Sequence, residues 1–313
     1  MASTLFLAPA DLGEAVLATG VLAHVAGGGD RVTIVCGPDA APLLRAAPGL
    51  EAMHVWNRAQ GFGPWINLAW RRIGRPFNLA LDLRGSPAGF AIAAKRRLVR
   101  RAPESLRHLS EDFRDLVGAE RTLAPVLWLD AKARTAAAAI APGAAPLLLL
   151  APGGNVASKR WPHERFAAVA RRLISGPLAG GRIAVLSAAP RDSEIAARIV
   201  SSLDADGVVA EDLGADLDLL AAAALSERAT LSIGNDNALT HISAAMGAPT
   251  LTLFGPTDER VRGPHGPRVR TLRGKPYEQI VASGLDAPGA MADISIDQVE
   301  TAALELLHAG GLR

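Results

Sequence analysis

The sequence has a single cysteine, one tyrosine and few aromatic residues of any kind. Because Cys36 has no second cysteine to pair with, an internal disulfide is excluded and a reducing compartment is allowed. Phe, Trp and Tyr together make up 4% of the residues, while alanine is abundant. The sequence therefore predicts helices that pack closely through small side chains. It lacks the interleaved aromatic residues of a platform for single-stranded nucleic acid.

A strong net charge and a long uncharged apolar run are also missing. The 33 Lys and Arg residues nearly balance the 31 Asp and Glu residues, and the net charge of +2 does not by itself indicate a nucleic-acid partner. No apolar stretch reaches the roughly 18 residues that predict a membrane-spanning helix. The apolar N-terminus has no basic leader, and Asp11 and Glu14 interrupt it, so it does not resemble a secretion signal. We therefore expect a cytoplasmic protein.

Short apolar strands alternate with helical patterns along the chain. We predict strands at 4–8, 32–36, 77–83, 147–151 and 182–187, and helices at 13–26, 163–174, 192–203, 218–224 and 296–306. This alternation predicts an α/β fold, with parallel sheets covered by helices on both faces. A chain of 313 residues, 49% of them hydrophobic, is long enough for two such cores.

The segment 131–146 is rich in Ala, Gly and Pro, which predicts a helix followed by a hinge. We therefore expect a Rossmann-like N-terminal domain at 1–140 and a Rossmann-like C-terminal domain at 147–290. Both are expected to be doubly wound parallel sheets that face each other across a cleft. Residues 291–313 hold an amphipathic helix, and packing back onto the N-terminal domain is one arrangement open to it.

The most informative stretch, 232–258, contains an apolar strand, a small polar turn, a helix and a second apolar strand. Its polar residues gather where the first strand ends, which is the edge at which parallel sheets bind ligands. Asp236 or Asn237 can cap the helix, whose first N–H groups, near Ala238, suit a phosphate. Asp236 and His241 lie five positions apart across the turn, so both are expected to face one ligand.

A second polar loop, 152–162, follows a buried strand and precedes a helix. Gly153 and Gly154, with Asn155 beside them, let the backbone approach an anion, and Lys159 adds a positive charge. The loop lacks the Walker pattern, so an ordinary connection with a solvated Lys-Arg pair is the alternative.

A carboxylate also lies near the N-terminus, where a strand is followed by Asp11-Leu12-Gly13-Glu14. Glu14, at the start of a helix, is a candidate general base, and Asp11 is the alternative base. The simpler interpretation is that Glu14 only complements the helix dipole.

These motifs resemble those of glycosyltransferase family 9, the ADP-heptose:lipopolysaccharide heptosyltransferases. The matching residues are Asp236, His241, Ala244, Pro249 and Phe254 through Thr257 in the C-terminal signature, and Lys159, Trp161 and Pro162 in the loop. Asn237 and Ala238 stand where the family has Thr/Ser-Gly against the donor phosphate. Gly13-Glu14 stands where the family has Gly-Asp, whose Asp acts as base on the acceptor hydroxyl.

With this resemblance, two less distinctive segments also have an expected role. Ser187 ends a strand, and Glu194 matches the acidic residue that binds the donor ribose in the family; an exposed carboxylate at a helix start is the alternative. The basic run 95–101, with Arg96 and Arg97, is expected to bind a phosphorylated or carboxylated glycan. The alternative for this run is a solvated helix face or loop.

The resemblance implies the GT-B fold and an enzyme, a glycosyltransferase that moves a heptose or related sugar from an ADP-sugar to a lipopolysaccharide-core or similar glycan. It implies an inverting reaction without metal or cofactor, and the histidines show no metal-like spacing. The implied catalytic residues are Glu14, Lys159 and Asp236. The implied donor-binding residues are Gly153, Gly154, Asn155, Ser187, Glu194, Asn237, Ala238 and His241, and the acceptor-binding ones are Asp11, Arg96 and Arg97.

The implied partners are a nucleotide sugar and a lipid-linked or phosphorylated glycan, but no nucleic acid. Such an acceptor is compatible with peripheral contact at the inner membrane face. Three other functions stay open: transfer from a different nucleotide sugar, binding of nucleotide sugars or glycans by a catalytically inactive GT-B protein, and epimerisation of a sugar nucleotide. The substitutions at Glu14, Asn237 and Ala238 favour the inactive protein. The residues Lys159, Asp236 and His241 oppose it.

Overall fold

The structure, a computed structural model, describes residues 2–57, 61, 68, 74–85, 90, 92–101, 106–187, 189–284 and 291–309. The chain divides into two compact units, Met1–Trp128 and Leu129–Arg313. This division falls before the segment 131–146, for which the sequence predicts a helix followed by a hinge. The physical reason is that the helix Ala131–Ile140 packs against the helix Leu219–Arg228 of the second unit.

The first unit is built on a parallel sheet with the strand order β3-β2-β1-β4-β5. Its strands are β1 Ser3–Leu7, β2 Arg31–Cys36, β3 Leu50–Val55, β4 Phe77–Asp82 and β5 Ala94–Val99. Its helices are α1 Leu12–Ala26, α2 Ala41–Leu44 and α3 Leu109–Val117. Strand β1 is buried along its whole length, as a central strand covered on both faces must be.

The second unit is built on a parallel sheet with the order β11-β10-β9-β6-β7-β8. Its strands are β6 Leu147–Ala151, β7 Arg182–Val185, β8 Ala210–Asp212, β9 Leu231–Asn235, β10 Thr250–Phe254 and β11 Val269–Arg273. Its helices are α4 Ala131–Ile140, α5 His163–Ser175, α6 Ser193–Asp204, α7 Leu219–Arg228, α8 Ala238–Ala245, α9 Glu259–Arg262, α10 Tyr277–Ser283 and α11 Ile296–Ala309. The predicted α/β class with two Rossmann-like parallel sheets is therefore confirmed.

In each sheet the strand order reverses at one point, between β1 and β4 in the first unit and between β6 and β9 in the second. Sheets of this kind bind ligands at the carboxyl ends of the strands beside such a reversal. Strand β6 leads into the loop with Lys159, β9 leads into Asp236, and β1 leads into Asp11 and Glu14. The topology thus places the main sequence-predicted residues at the ligand-binding edges of their own sheets.

Where the strand order of the second sheet reverses, the close packing of β6, β9 and α8 depends on Gly234. A Cβ atom at this position would lie 2.6 Å from Cγ2 of Thr240 and 2.7 Å from the Cβ of Ala151. Ala151 ends β6 and Thr240 lies in the first turn of α8. A glycine is required here because β6, β9 and α8 approach one another more closely than any side chain allows.

The C-terminal helix α11 packs on the second sheet. Its buried residues are Val299, Ala302, Ala303, Leu306 and Leu307, and they share a core with residues of β6, β7, β9 and β10. Helix α11 is therefore part of the second unit. From the sequence alone, 291–313 was expected to be a separate segment, and its packing partner was left open.

The basic run 95–101 contributes to an edge strand, and the interpretation of this run as a helix face or loop was wrong. Strand β5 pairs in parallel with β4, and Leu98 packs against the core of the first unit. Lys95 and Arg96 are exposed. Positive charge is a common feature of edge strands, where it discourages pairing with other chains. The density of charge concealed the strand pattern in the sequence.

Candidate active site

Lys159 and Asp236 meet at the reversal of strand order in the second sheet. Lys159 ends a 3-10 turn, Ala157–Lys159, and Asp236 directly follows β9. Nζ of Lys159 lies 2.7 Å from Oδ2 of Asp236, and the two side chains are 20% and 8% exposed. Because β6 and β9 are neighbours in the sheet, two residues far apart in sequence form one largely buried ion pair.

His241 lies on the other side of the Asp236 carboxylate. Its Nε2 is 3.9 Å from Oδ1 of Asp236, and its side chain is buried. Burial raises the pKa of Asp236, but the imidazole of His241 and the ammonium of Lys159 outweigh burial and hold that pKa well below its ordinary value. Asp236 is therefore ionised at neutral pH. Nδ1 of His241 has no hydrogen-bond partner among the described residues, so this buried nitrogen has capacity for a ligand.

The start of α8 is capped by Asn237, which settles the alternative left open between Asp236 and Asn237. Oδ1 of Asn237 accepts hydrogen bonds from the N–H groups of Leu239 (2.9 Å) and Thr240 (3.3 Å). Ala238 is the first residue of the helix. The positive end of this helix dipole lies next to Asp236, in a position that favours an anion.

The loop after β6, residues 152–160, is called the lysine loop below. It packs against a buried carboxylate that sequence analysis missed. A Cβ atom at Gly153 would lie 2.4 Å from Oδ2 of Asp192, and the N–H of Gly154 donates to Oδ1 of Asp192 at 3.4 Å. Asp192 is buried and ends a 3-10 turn after β7. Asn155, by contrast, is exposed. Gly153 therefore lets the backbone of the loop touch a carboxylate.

The end of the lysine loop is also anchored, so the alternative of a solvated Lys-Arg pair does not describe it. Nε and Nη2 of Arg160 donate to the carbonyl of Gly154 at 3.0 and 2.8 Å. The following Trp161 is buried, donates from Nε1 to the carbonyl of Ile294 at 2.9 Å, and packs edge-to-face on Phe166. These contacts fix the direction in which the loop leaves the sheet.

Ser187 and Glu194, both expected near the donor, have different surroundings. Ser187 lies two residues past β7 and is buried, and its Oγ has no hydrogen-bond partner among the described residues. Glu194, in the first turn of α6, is 75% exposed and pairs with Arg198 at 2.6 Å. The structure thus places Ser187 at the carboxyl end of the sheet and Glu194 on the exposed surface of a helix.

In the first unit, the carboxylates that follow β1 have distinct partners. Asp11 caps α1, and its Oδ1 accepts a hydrogen bond from the N–H of Glu14 at 3.0 Å. Oε2 of Glu14 lies 3.0 Å from Nη1 of Arg100, and these two side chains are 11% and 20% exposed. The guanidinium of Arg100 lies over the ring of Phe113. The basic run thus supplies an ion-pair partner for Glu14, which sequence spacing did not reveal.

The two arginines expected to bind the acceptor also differ. Arg96 is exposed on β5, whereas Arg97 is half-buried. Arg97 donates to the carbonyl of Ile92 at 2.8 Å and lies over the ring of Phe90, which is 64% exposed. Arg96 is therefore the more accessible of the two to an anionic ligand.

The second unit contains groups that suit an anion, and the first unit contains a carboxylate held in an ion pair. Lys159, the start of α8 and buried polar atoms with spare capacity suit a phosphate group. In the parts of the chain that the structure describes, no three His, Cys, Asp or Glu side chains group together as they would around a metal ion. No described helix has the length and hydropathy needed to span a bilayer.

Sequence comparison identifies similar proteins that are named heptosyltransferases. The sequence model of a family described as glycosyltransferase family 9 (heptosyltransferase) matches residues 71–283. Lipopolysaccharide heptosyltransferase 2 of Salmonella typhimurium is 28% identical over 165 residues, which are 52% of this chain and 46% of that protein. The chain thus covers less than half the length of this relative.

Two solved structures share the whole fold. The ADP-heptose lipopolysaccharide heptosyltransferase II of E. coli superposes with a TM-score of 0.80 and covers 99% of both chains. A family 9 glycosyltransferase from Veillonella parvula superposes with a TM-score of 0.83 and covers 98% of both chains. Each is 18% identical to this chain, so the similarity establishes the predicted GT-B fold. Because the family model matches most of the sequence and the fold agrees, the chain belongs to glycosyltransferase family 9.

Proposed function

We propose that this protein is a glycosyltransferase that moves a heptose or related sugar from an ADP-sugar to a lipopolysaccharide-core or similar glycan acceptor. Family membership supports sugar transfer. The observation that carries the proposal is the ion pair of Lys159 and Asp236, which lies at the ligand-binding edge of the second sheet and beside the start of a helix.

The second unit is suited to a departing diphosphate. An ammonium group has three hydrogen-bond donors, so Lys159 can keep its bond to Asp236 and still donate to phosphate oxygens. The N–H group of Ala238 and the positive end of the helix dipole add to the same field. Because these groups are fixed before the reaction, they stabilise negative charge as the bond between sugar and diphosphate breaks.

We propose Asp192, and not Glu194, as the carboxylate that binds the ribose of the donor. Asp192 is buried and bonded to the backbone of the lysine loop, whereas Glu194 is exposed and paired with Arg198. A carboxylate beside the loop that binds the diphosphate is the better acceptor for ribose hydroxyl groups. Ser187 and His241, whose buried polar atoms have no partner among the described residues, are further donor-binding groups.

Glu14 is the proposed base in the first unit. Its carboxylate accepts the proton of the acceptor hydroxyl, the hydroxyl oxygen forms the new bond to the anomeric carbon, and the diphosphate leaves from the opposite side with inversion. The ion pair with Arg100 fixes the direction of the carboxylate. We propose that the lysine and the helix start stabilise the diphosphate without a metal ion.

The proposed acceptor is lipid-linked or phosphorylated, and we propose a cytoplasmic protein that contacts the inner membrane face peripherally. Exposed Lys95 and Arg96 on β5 support this part, because cationic side chains near an anionic bilayer surface attract it.

The test is transfer by the purified protein with ADP-heptose and a heptose-deficient lipopolysaccharide core. The expected result is release of ADP that requires the acceptor, with the mass of one heptose added to the glycan. Parallel reactions with UDP- and GDP-sugars test the donor nucleotide. Binding of ADP without release or transfer would favour the inactive binding protein, and a changed sugar in the absence of acceptor would favour the epimerase.

A further inference from the structure

The end of β6 and the start of the lysine loop carry backbone carbonyl groups that need hydrogen-bond donors. Asn235, which ends β9, and Asn237, which caps α8, supply them. Nδ2 of Asn235 donates to the carbonyls of Pro152 (2.5 Å) and Gly153 (3.3 Å). Nδ2 of Asn237 donates to the carbonyls of Ala151 (2.9 Å) and Gly153 (3.1 Å). The loop is thus held by side chains of the neighbouring strand and helix cap.

Asn237 uses both ends of its amide. On one side Oδ1 caps the N–H groups of Leu239 and Thr240, and on the other side Nδ2 donates to the lysine loop. The partners fix this orientation of the amide, because N–H donors surround one atom and carbonyl acceptors surround the other. A single side chain therefore joins the start of α8 to the lysine loop.

The residue type at this position matters for that link. A hydroxyl group can cap a helix, but its one hydrogen cannot also serve two carbonyl groups. The amide therefore makes a connection that a serine or threonine at this position could not make in full.

We propose that Asn237 is a positioning residue of the donor site, and that it acts through the lysine loop and not through contact with the ligand. Lys159 and the N–H group of Ala238 act on the same diphosphate only while the loop and the helix keep their separation. The inference rests on the proposed function, because the ligand is the ADP part of the donor.

Two variants separate this role from helix capping. Asn237→Ser keeps a good cap but removes the donor group that reaches Ala151 and Gly153. Asn237→Asp also keeps the cap and places a carboxylate oxygen against those carbonyls. The matched control is Asp218→Ser, which exchanges one capping residue for another at α7, where Oδ1 of Asp218 accepts from the N–H of Leu220 at 2.8 Å.

The measurements are the Kd for ADP by calorimetry and hydrogen exchange of the backbone amides. We expect Asn237→Ser to raise the Kd about tenfold, through loss of two hydrogen bonds, and Asn237→Asp to raise it further. Amides 153–160 are expected to exchange faster in both variants. Asp218→Ser is expected to change neither the Kd nor the exchange of the loop.

Three results would overturn the inference. The first is an unchanged Kd in both Asn237 variants, and the second is an unchanged exchange rate in the lysine loop. The third is faster exchange across the whole second unit, which would assign Asn237 a general structural role. If the unaltered protein does not bind ADP, the proposed function fails instead. The exchange of amides 153–160 then still decides whether Asn237 holds the loop.

Discussion

Nζ of Lys159 lies 2.7 Å from Oδ2 of Asp236, and this contact joins the loop after β6 to the end of β9, the two strands between which the second sheet reverses its order. The pair is largely buried, so each charge depends on the other for stability. The same lysine is the cation that we assign to the donor diphosphate. Stability and ligand binding are therefore linked at one contact, and both can be measured.

Lys159→Met is expected to lower the free energy of unfolding by about 2 kcal/mol. This is less than the about 3 to 5 kcal/mol found when a fully buried pair loses one partner, because Lys159 is 20% exposed and His241 still faces the carboxylate. Urea unfolding measures the effect. The double variant Lys159→Met with Asp236→Asn has no unpaired carboxylate charge. Part of the lost free energy of unfolding is therefore expected to be regained. A double variant less stable than Lys159→Met would contradict this explanation.

Stability is expected to fall as the pH falls, through Asp236. The folded-state pKa of this carboxyl lies below its ordinary value, so its contribution to stability is complete above that value of about 4 and is lost as the pH falls below it. Between about pH 5 and pH 3, unfolding free energies should drop more steeply in the unaltered protein than in Asp236→Asn. Parallel pH dependences of the two proteins would show that Asp236 carries no such linkage.

Glu14→Gln is expected to reduce the rate of acceptor-dependent sugar transfer by at least about 100-fold, because the amide cannot accept the proton of the hydroxyl. The affinity for ADP is expected to stay the same, since Glu14 lies in the first unit. Asp11→Asn is the matched control, because asparagine also caps α1. Loss of transfer in Asp11→Asn with a normal rate in Glu14→Gln would make Asp11 the base.

Asp192→Asn is expected to weaken ADP binding, whereas Glu194→Gln is expected to leave it unchanged. The carboxylate of Asp192 is buried against the lysine loop, and an amide there accepts ribose hydroxyl groups less well. Glu194 forms an exposed ion pair within its own helix. The Kd for ADP in each variant checks the assignment, and the opposite order of effects would return the role to Glu194.

Strands with continuous apolar runs were predictable, and so were the polar segments that follow them. Strand β6 has four consecutive leucines, and Lys159 and Asp236 follow strand ends that parallel topology brings together. Strand β5 was misread because its charged residues hide the period of two that identifies a half-buried strand. Arg100, which directly follows β5, was predicted only as part of the basic run and not as the partner of Glu14.

Contacts between side chains that lie far apart in the sequence could not be predicted from the sequence. Glu14 and Arg100 are 86 positions apart, and spacing gives no reason to pair them. Asp192 and Glu194 lie two residues apart at a helix start, and only the course of the turn decides which carboxylate is buried. The sequence identified Asn237 as a departure from the family signature, but the contacts of its amide become visible only when β6 and α8 are side by side.

The most direct test of the central claim is a calorimetric titration of ADP into the unaltered protein and into Lys159→Met, with circular dichroism to confirm that the variant is folded. If the second sheet binds the donor diphosphate through Lys159, the Kd for ADP should rise at least about tenfold in the variant, in keeping with the loss of a charged hydrogen bond. Equal affinity in the two proteins would contradict the account.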